Sequence, residues 1–158
     1  MKTIKYISIL LILLSISCCV KQQENDEEQI KKTVKEYWKA VKENNLQKCM
    51  NLIYESEEFE GAVQGELYFL HKNYNKINPN DILLKNITIK DTTIMFSENK
   101  QKYVQYFIKD KNDPNSLKKP LIITLTFYKP IGYDKIYNGA LLQNHIGWGK
   151  ELKLTPNN

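Results

Sequence analysis

The hydrophobic positions of the chain change their spacing near Pro79. Before Pro79, apolar residues recur every three or four positions, which is the period of a helix that buries one face. After it, apolar and polar residues alternate, and β-branched and aromatic residues dominate, as they do in strands. Helices followed by antiparallel strands predict an α+β domain, with the N-terminal helices packed on a curved, cone-like antiparallel sheet.

Three helices are predicted in the first part of the chain. The first extends from about Asp26, whose side chain can cap it, to about Glu43. The second is short, and the third covers residues 59–77 although Gly61 and Gly65 lie inside it. The apolar stripes comprise Ile30, Val34, Tyr37, Trp38 and Val41 in the first helix, Leu46, Cys49, Met50 and Ile53 in the second, and Phe59, Val63, Leu67, Leu70, Tyr74 and Ile77 in the third.

Five strands are predicted after Pro79, at residues 82–89, 92–96, 103–108, 121–128 and 140–146. Residues 110–119 are predicted to form an exposed hairpin loop. The alternation is most regular in the fourth strand. There Leu121, Ile123, Leu125 and Phe127 are predicted to face the helices, and Thr124, Thr126 and Tyr128 the other side.

The N-terminus has the layout of a secretory signal peptide, with Lys2 and Lys5 before an apolar run at residues 6–16. That run is shorter than the ~20 residues of a membrane-spanning helix. The following residues are polar and acidic and offer nothing to bury. We therefore expect a signal peptide at residues 1–17, a flexible tether at 18–27 and a single α+β domain at 28–154.

The sequence Leu14-Ser15-Ile16-Ser17-Cys18 resembles a bacterial lipobox. The resemblance implies that Cys18 is acylated, becomes the mature N-terminus and anchors the protein to the membrane of the cell envelope. Cys19 is the alternative anchor, but it would place Cys18 where a small residue is expected. If the cell has two membranes, the absence of Asp directly after Cys18 favours the outer one.

Charge and cysteine content exclude several classes of partner. The net charge is +5, it falls when the signal peptide is removed, and every basic residue is Lys. Without Arg, the chain lacks the forked donor that grips phosphate, so we expect no nucleic-acid partner. Three cysteines are too few for a disulfide framework once one is acylated. Cys49 lies on an apolar helix face and is predicted to be a buried thiol, although a bond to Cys19 stays open.

The segment from Glu28 to Leu46, EQIKKTVKEYWKAVKENNL, resembles the opening helix of nuclear transport factor two-like domains. In that superfamily, an amphipathic helix with an aromatic pair precedes two further helices and a bent sheet that forms a cone. The resemblance covers most of the mature chain in element order. It implies a cone cavity, which some members use as isomerases, cyclases or dehydratases while others only bind or assemble, and it also implies possible homodimerisation through the sheet. A cystatin-like arrangement is the competing fold.

Residues that carry acid–base or metal chemistry are sparse. His71 and His145 are the only histidines, and a catalytic role would pair one of them with an acid such as Glu66 or Asp134. His71 lies beside the apolar stripe, so we expect a partly exposed surface residue, whereas His145 could line a cavity. No metal-ligand spacing, nucleophile elbow or phosphate-binding loop is present. The sequence therefore predicts no catalytic residue, metal or cofactor.

Aromatic residues give the strongest indication of binding. The chain has ten tyrosines and two tryptophans, and several lie in its C-terminal third. These side chains join an apolar body to a polar tip, which suits recognition, although packing of the sheet would explain them too. The predicted ligand-binding residues are His145, Tyr128, Tyr133, Tyr137 and Trp148.

Together these features favour a membrane-anchored, non-catalytic binding or accessory module of the cell envelope. Its occupant would be a protein partner or a small apolar ligand. One alternative is a small-molecule isomerase or cyclase that uses the cone pocket. Another is a lipoprotein that protects its own cell by neutralising a toxin.

Overall fold

A computed structural model describes residues 25–92, 101–108, 121–137 and 146–148. For residues 146–148 it describes the backbone only. Helix α1 is described from residue 25 and ends at residue 43. Within the described residues, four more α-helices and four strands follow, and they confirm the predicted α+β class. Their bounds are α2 Leu46–Leu52, α3 Glu60–Lys72, α4 Tyr74–Ile77, α5 Ile82–Lys85, β1 Ile89–Thr92, β2 Gln101–Ile108, β3 Leu121–Tyr128 and β4 Ile146–Trp148.

The first two helices follow the predicted pattern. The apolar stripe of α1, including Val34 and Trp38, is fully buried. Asp26 does not cap α1, because residue 25 is already helical, and its carboxylate instead lies 3.3 Å from the ammonium of Lys129. Residues 25–27, assigned above to the tether, therefore belong to the helix. The side chain of Asn45 caps α2 by accepting a hydrogen bond from the Lys48 amide at 3.0 Å.

The third predicted helix is divided in the structure. A 3₁₀ turn, Ser56–Phe59, precedes α3, and Asn73 separates α3 from α4. The side chain of Asn73 donates to the Phe69 carbonyl at 2.8 Å, so it competes with the backbone for a helical acceptor. Gly61 and Gly65 lie on the exposed face of α3.

The strand predicted at residues 82–89 is wrong over most of its length. Ile82–Lys85 forms the short helix α5, and β1 begins only at Ile89. The turn before α5 favours a helix at this point, since the buried Asn78 side chain accepts a hydrogen bond from the Leu83 amide at 3.0 Å. A local side-chain cap thus overrides the strand propensity of the apolar run.

The sheet has the order β1-β2-β3-β4, with every neighbouring pair antiparallel. The strand predicted at 121–128 is confirmed, and the one predicted at 103–108 begins two residues earlier, at Gln101. The strand predicted at 92–96 overlaps β1 only at Thr92, and residues 93–96 lie outside the described residues. The strand predicted at 140–146 overlaps β4 only at Ile146, and residues 140–145 and the loop 110–119 also lie outside them.

The predicted inner face of β3 is confirmed. Leu121 is 4% exposed, and the three other residues of that face are fully buried. The opposite face is not uniformly wet, because Ile122 and Thr124 are also buried, whereas Thr126 and Tyr128 are half-buried. On the neighbouring strand, Phe107 pairs with Ile122 in register and is 45% exposed.

Trp38 occupies the centre of the core between the helices and the sheet. Its ring lies edge-on to Tyr37, Tyr106 and Tyr74, with centroid distances of 5.7, 5.8 and 6.4 Å. These rings come from α1, β2 and α4, so one side chain connects three elements. Among the described residues, no helix has the length and apolar character needed to cross a membrane.

Candidate ligand-binding site

A cavity of about 370 Å³ opens where the turn after α2 meets the end of β3. This volume falls within the ~300–1,000 Å³ range of small-molecule sites. We call it the tyrosine pocket, and it is lined by Tyr54, Glu55, Glu58, Phe59, Tyr128, Ile131 and Tyr137.

Backbone hydrogen bonds connect the chain segments that form the tyrosine pocket. The Ile136 amide donates to the Leu52 carbonyl at 2.7 Å, and the Tyr54 amide donates to the Ile136 carbonyl at 3.0 Å. The Tyr137 amide donates to the Thr126 carbonyl of β3 at 2.6 Å. The segment carrying Ile136 therefore bridges α2 and the sheet, and it fixes the walls of the pocket relative to each other.

Three tyrosine rings form the aromatic wall of the pocket. The ring of Tyr137 stands between the other two, with its centroid 5.2 Å from that of Tyr128 and 6.0 Å from that of Tyr54. The rings are tilted against one another by 36° and 51°, arrangements in which aromatic pairs attract. Tyr54 is 37% exposed, and the other two rings are half-buried. Aromatic surface thus remains accessible from solvent.

The acidic wall is built on a strained turn. Glu55 has φ 51° and ψ 33°, a left-handed conformation that residues other than Gly and Asn rarely adopt. The buried Ser56 hydroxyl holds this turn by donating to the Met50 carbonyl at 2.8 Å. The Glu58 amide donates to the Glu55 carbonyl at 3.2 Å, which closes the first 3₁₀ turn. Both carboxylates are therefore carried at the edge of the cavity by a defined backbone.

The described residues that line the tyrosine pocket include two carboxylates and no basic side chain. A hydrogen bond from the Tyr54 hydroxyl to the Glu55 carboxylate raises the pKa of Tyr54, and the charges of Glu55 and Glu58 add to the effect. The nearby Lys129 pairs with Asp26, and Lys135 donates to the Asn51 carbonyl. In the part of the chain that the structure describes, no lysine forms an ion pair with either pocket glutamate.

Neither known protein-family models nor curated proteins match the sequence, and no solved structure matches the fold. The chemistry of the pocket is therefore inferred from its own residues.

The structure separates the predicted ligand-binding residues. Tyr128 and Tyr137 meet in the tyrosine pocket. Tyr133 lies apart from it, 8% exposed in the hydrophobic core, and its carbonyl accepts a hydrogen bond from Thr33 of α1 at 2.8 Å. His145 lies outside the described residues, and only the backbone of Trp148 is described.

Two of the seven residues that line the tyrosine pocket were identified from the sequence, and the other five were missed. Tyr54, Glu55, Glu58 and Phe59 come from a short acidic and aromatic run between α2 and α3. The composition of this run is a weak signal of a site. Its partner residues lie far along the chain, and no periodicity relates the two segments.

His71 has a structural role at the end of α1. It is half-buried, in agreement with the prediction of a partly exposed residue. Its Nδ1 lies 3.1 Å from the Val41 carbonyl oxygen, and because a carbonyl only accepts, this nitrogen must carry the proton. Among the described residues, no group of three His, Cys, Asp or Glu side chains could hold a metal ion.

Cys49 is buried, as predicted, with 2% of its surface exposed. Burial, with a further contribution from the charge of Glu66, raises the pKa of its thiol to about 12. The thiolate is the reactive form of cysteine, so this residue is an inert part of the core at neutral pH.

Proposed function

We propose that the protein is a non-catalytic binding module, tethered to the bacterial cell envelope through Cys18, that holds a small organic ligand in the tyrosine pocket. The observation that carries this proposal is the convergence of three tyrosine rings on one surface cavity. Tyrosine offers a large, amphipathic contact surface at low entropic cost. The hydrogen-bonded backbone of the walls supports a preformed site, which reduces the cost of ordering it on binding.

Two features favour binding over catalysis of the isomerase or cyclase kind. Glu55 and Glu58 are exposed to water, whereas acid–base catalysts act most strongly in a site from which water is excluded. The interior between the helices and the sheet, where a cone-type active site would lie, contains the fully buried side chains of Trp38 and Phe127. The exposed carboxylates and the filled interior therefore support a binding function more than a catalytic one.

Binding in the pocket is tested with a fragment screen by ligand-observed NMR, using the full-length protein in non-ionic detergent. Tyr137→Leu is expected to weaken the binding of pocket ligands about fivefold, because the loss of the central ring removes roughly 1 kcal/mol of aromatic contact. Tyr54→Leu should act in the same direction. The matched control is Tyr68→Leu, since Tyr68 is 62% exposed on α3 and does not line the pocket.

Two outcomes of that screen would contradict the proposal. One is a screen in which no fragment binds the wild-type protein. The other is a set of fragments that bind Tyr137→Leu as well as they bind the wild type, with circular dichroism showing that the variant is folded.

The envelope tether rests on the lipobox-like residues 14–18, and two acyl chains give a lasting membrane anchor. We expect the wild-type protein to carry a diacylglyceryl-sized mass increment and to fractionate with membranes, with the outer membrane favoured where there are two. Cys18→Ala should abolish both properties, whereas Cys19→Ala should retain them. Intact mass spectrometry and membrane fractionation measure the two properties. An unmodified wild-type protein outside the membrane fraction would refute the tether, and loss in Cys19→Ala alone would move the anchor to Cys19.

A further inference from the structure

We infer that the tyrosine pocket selects a small organic cation, above all a quaternary ammonium compound, over a neutral molecule of the same shape. This inference rests on the proposed function, since it names the class of ligand that the proposed site takes. It differs from the small apolar ligand that the aromatic residues alone would suggest.

The aromatic wall provides the first reason. A cation is attracted to the face of a tyrosine ring when it lies within about 6 Å of the ring centroid. The centroids of Tyr54 and Tyr128 are 6.0 and 5.2 Å from that of Tyr137. One methylated ammonium group beside Tyr137 can therefore be within reach of more than one ring. Clusters of aromatic rings bind quaternary ammonium ions well, because the methyl groups gain apolar contact while the charge is attracted to the ring faces.

The two glutamates provide the second reason. Glu55 and Glu58 line the same cavity, and among the described residues that line it no side chain is positively charged. Their negative charge attracts a cation and contributes nothing to the binding of a neutral ligand. It also repels a ligand that carries an anionic group beside its ammonium. A free cation such as choline therefore fits better than a zwitterion such as betaine or a phosphatidylcholine headgroup.

The inference is tested by isothermal titration calorimetry of the full-length protein in non-ionic detergent. The probes are choline and 3,3-dimethylbutan-1-ol, in which a carbon atom replaces the charged nitrogen. We expect choline to bind at least about tenfold more tightly than its neutral analogue. Removing both pocket charges with Glu55→Gln and Glu58→Gln should lower choline affinity about tenfold and leave the affinity of the neutral analogue unchanged.

Glu57→Gln is the matched control, because Glu57 belongs to the same 3₁₀ turn and is exposed but does not line the cavity. It should change choline binding by less than about twofold, which would exclude a general effect of surface charge. Raising the salt concentration should weaken choline binding in the wild type more than in the double glutamine variant.

The outcomes separate this inference from the proposed function. Equal affinities for choline and the neutral analogue, both reduced by Tyr137→Leu, would overturn the cation preference and leave the binding site intact. Failure of both probes and of every fragment to bind would overturn both proposals. Whether the pocket instead takes the headgroup of a phosphatidylcholine lipid is tested by flotation of the Cys18→Ala variant with vesicles of phosphatidylcholine or phosphatidylglycerol. Selective flotation with phosphatidylcholine, without binding of free choline, would contradict the preference for a free cation.

Discussion

Replacing Trp38 with alanine is expected to lower the free energy of unfolding by about 4 kcal/mol, a large part of the roughly 5–15 kcal/mol that stabilises a domain. Trp38 is fully buried, and it contacts rings from α1, α4 and β2. Truncation removes apolar surface from the core and leaves a cavity. Aromatic neighbours are rigid and held by separate elements, so the cavity cannot collapse easily.

The measurement is urea unfolding followed by far-ultraviolet circular dichroism. Trp38→Phe should lose less, about 1–2 kcal/mol, because a smaller ring still fills part of the space. Tyr68→Ala should change stability by less than about 0.5 kcal/mol, because Tyr68 is 62% exposed. If Trp38→Ala and Tyr68→Ala had equal stability, the central position of Trp38 would be refuted.

The helices and strands that could be predicted are those whose hydrophobic pattern reflects the burial of one face in the core. In β3, the alternation of apolar residues with threonine from Ile123 to Phe127 identified both the strand and its inner face. The stripe of α1 likewise predicted the core position of Trp38. In these elements the local pattern and the tertiary packing specify the same structure, so the sequence alone was sufficient.

The elements that could not be predicted are set by single side-chain hydrogen bonds. Asn73 ends α3, and Asn78 caps the turn that makes residues 82–85 helical. Hydrophobic periodicity carries no information about such contacts. Asparagine is compatible with a loop, a cap or a helix interior, and only the geometry shows which of these it adopts.

The sequence predicted only two of the seven residues of the candidate site, for a related reason. Tyr128 and Tyr137 were identified from the aromatic content of the C-terminal third, but their partners Tyr54, Glu55 and Glu58 were not. The two halves meet through the parallel bridge between Ile53 and Ile136. That pairing is a long-range tertiary contact, and the acidic character of the pocket becomes visible only once it is known.

Raising the pH from 10 to 12 is expected to destabilise the protein steeply, because several tyrosines are neutral and buried in the folded state. Burial raises the pKa of Tyr106 to about 12, whereas an unfolded tyrosine titrates near 10. Burial, together with the hydrogen bond to Asp81, also raises the pKa of Tyr74 to about 12, and burial raises that of Tyr37 well above its ordinary value. The direction of this pH effect follows from the linkage between proton binding and folding. The stability that depends on the neutral form is complete below pH 10 and is lost as the pH rises towards the folded pKa.

Tyr106 alone should account for roughly 2–3 kcal/mol of this loss by pH 12, and Tyr106→Phe isolates its share. At pH 8 the variant should be less stable than the wild type by about 1 kcal/mol, because it lacks the hydroxyl that donates to the Leu83 carbonyl at 3.3 Å. Phenylalanine cannot ionise, so the stability of the variant should fall less steeply above pH 10, and the two curves should converge or cross. Urea unfolding at several pH values measures both curves, and Tyr68→Phe, at a position that is 62% exposed, is the control for removing a tyrosine hydroxyl outside the core. Parallel curves for Tyr106→Phe and the wild type would show that Tyr106 does not resist ionisation in the folded state, and the alkaline instability would then have another origin.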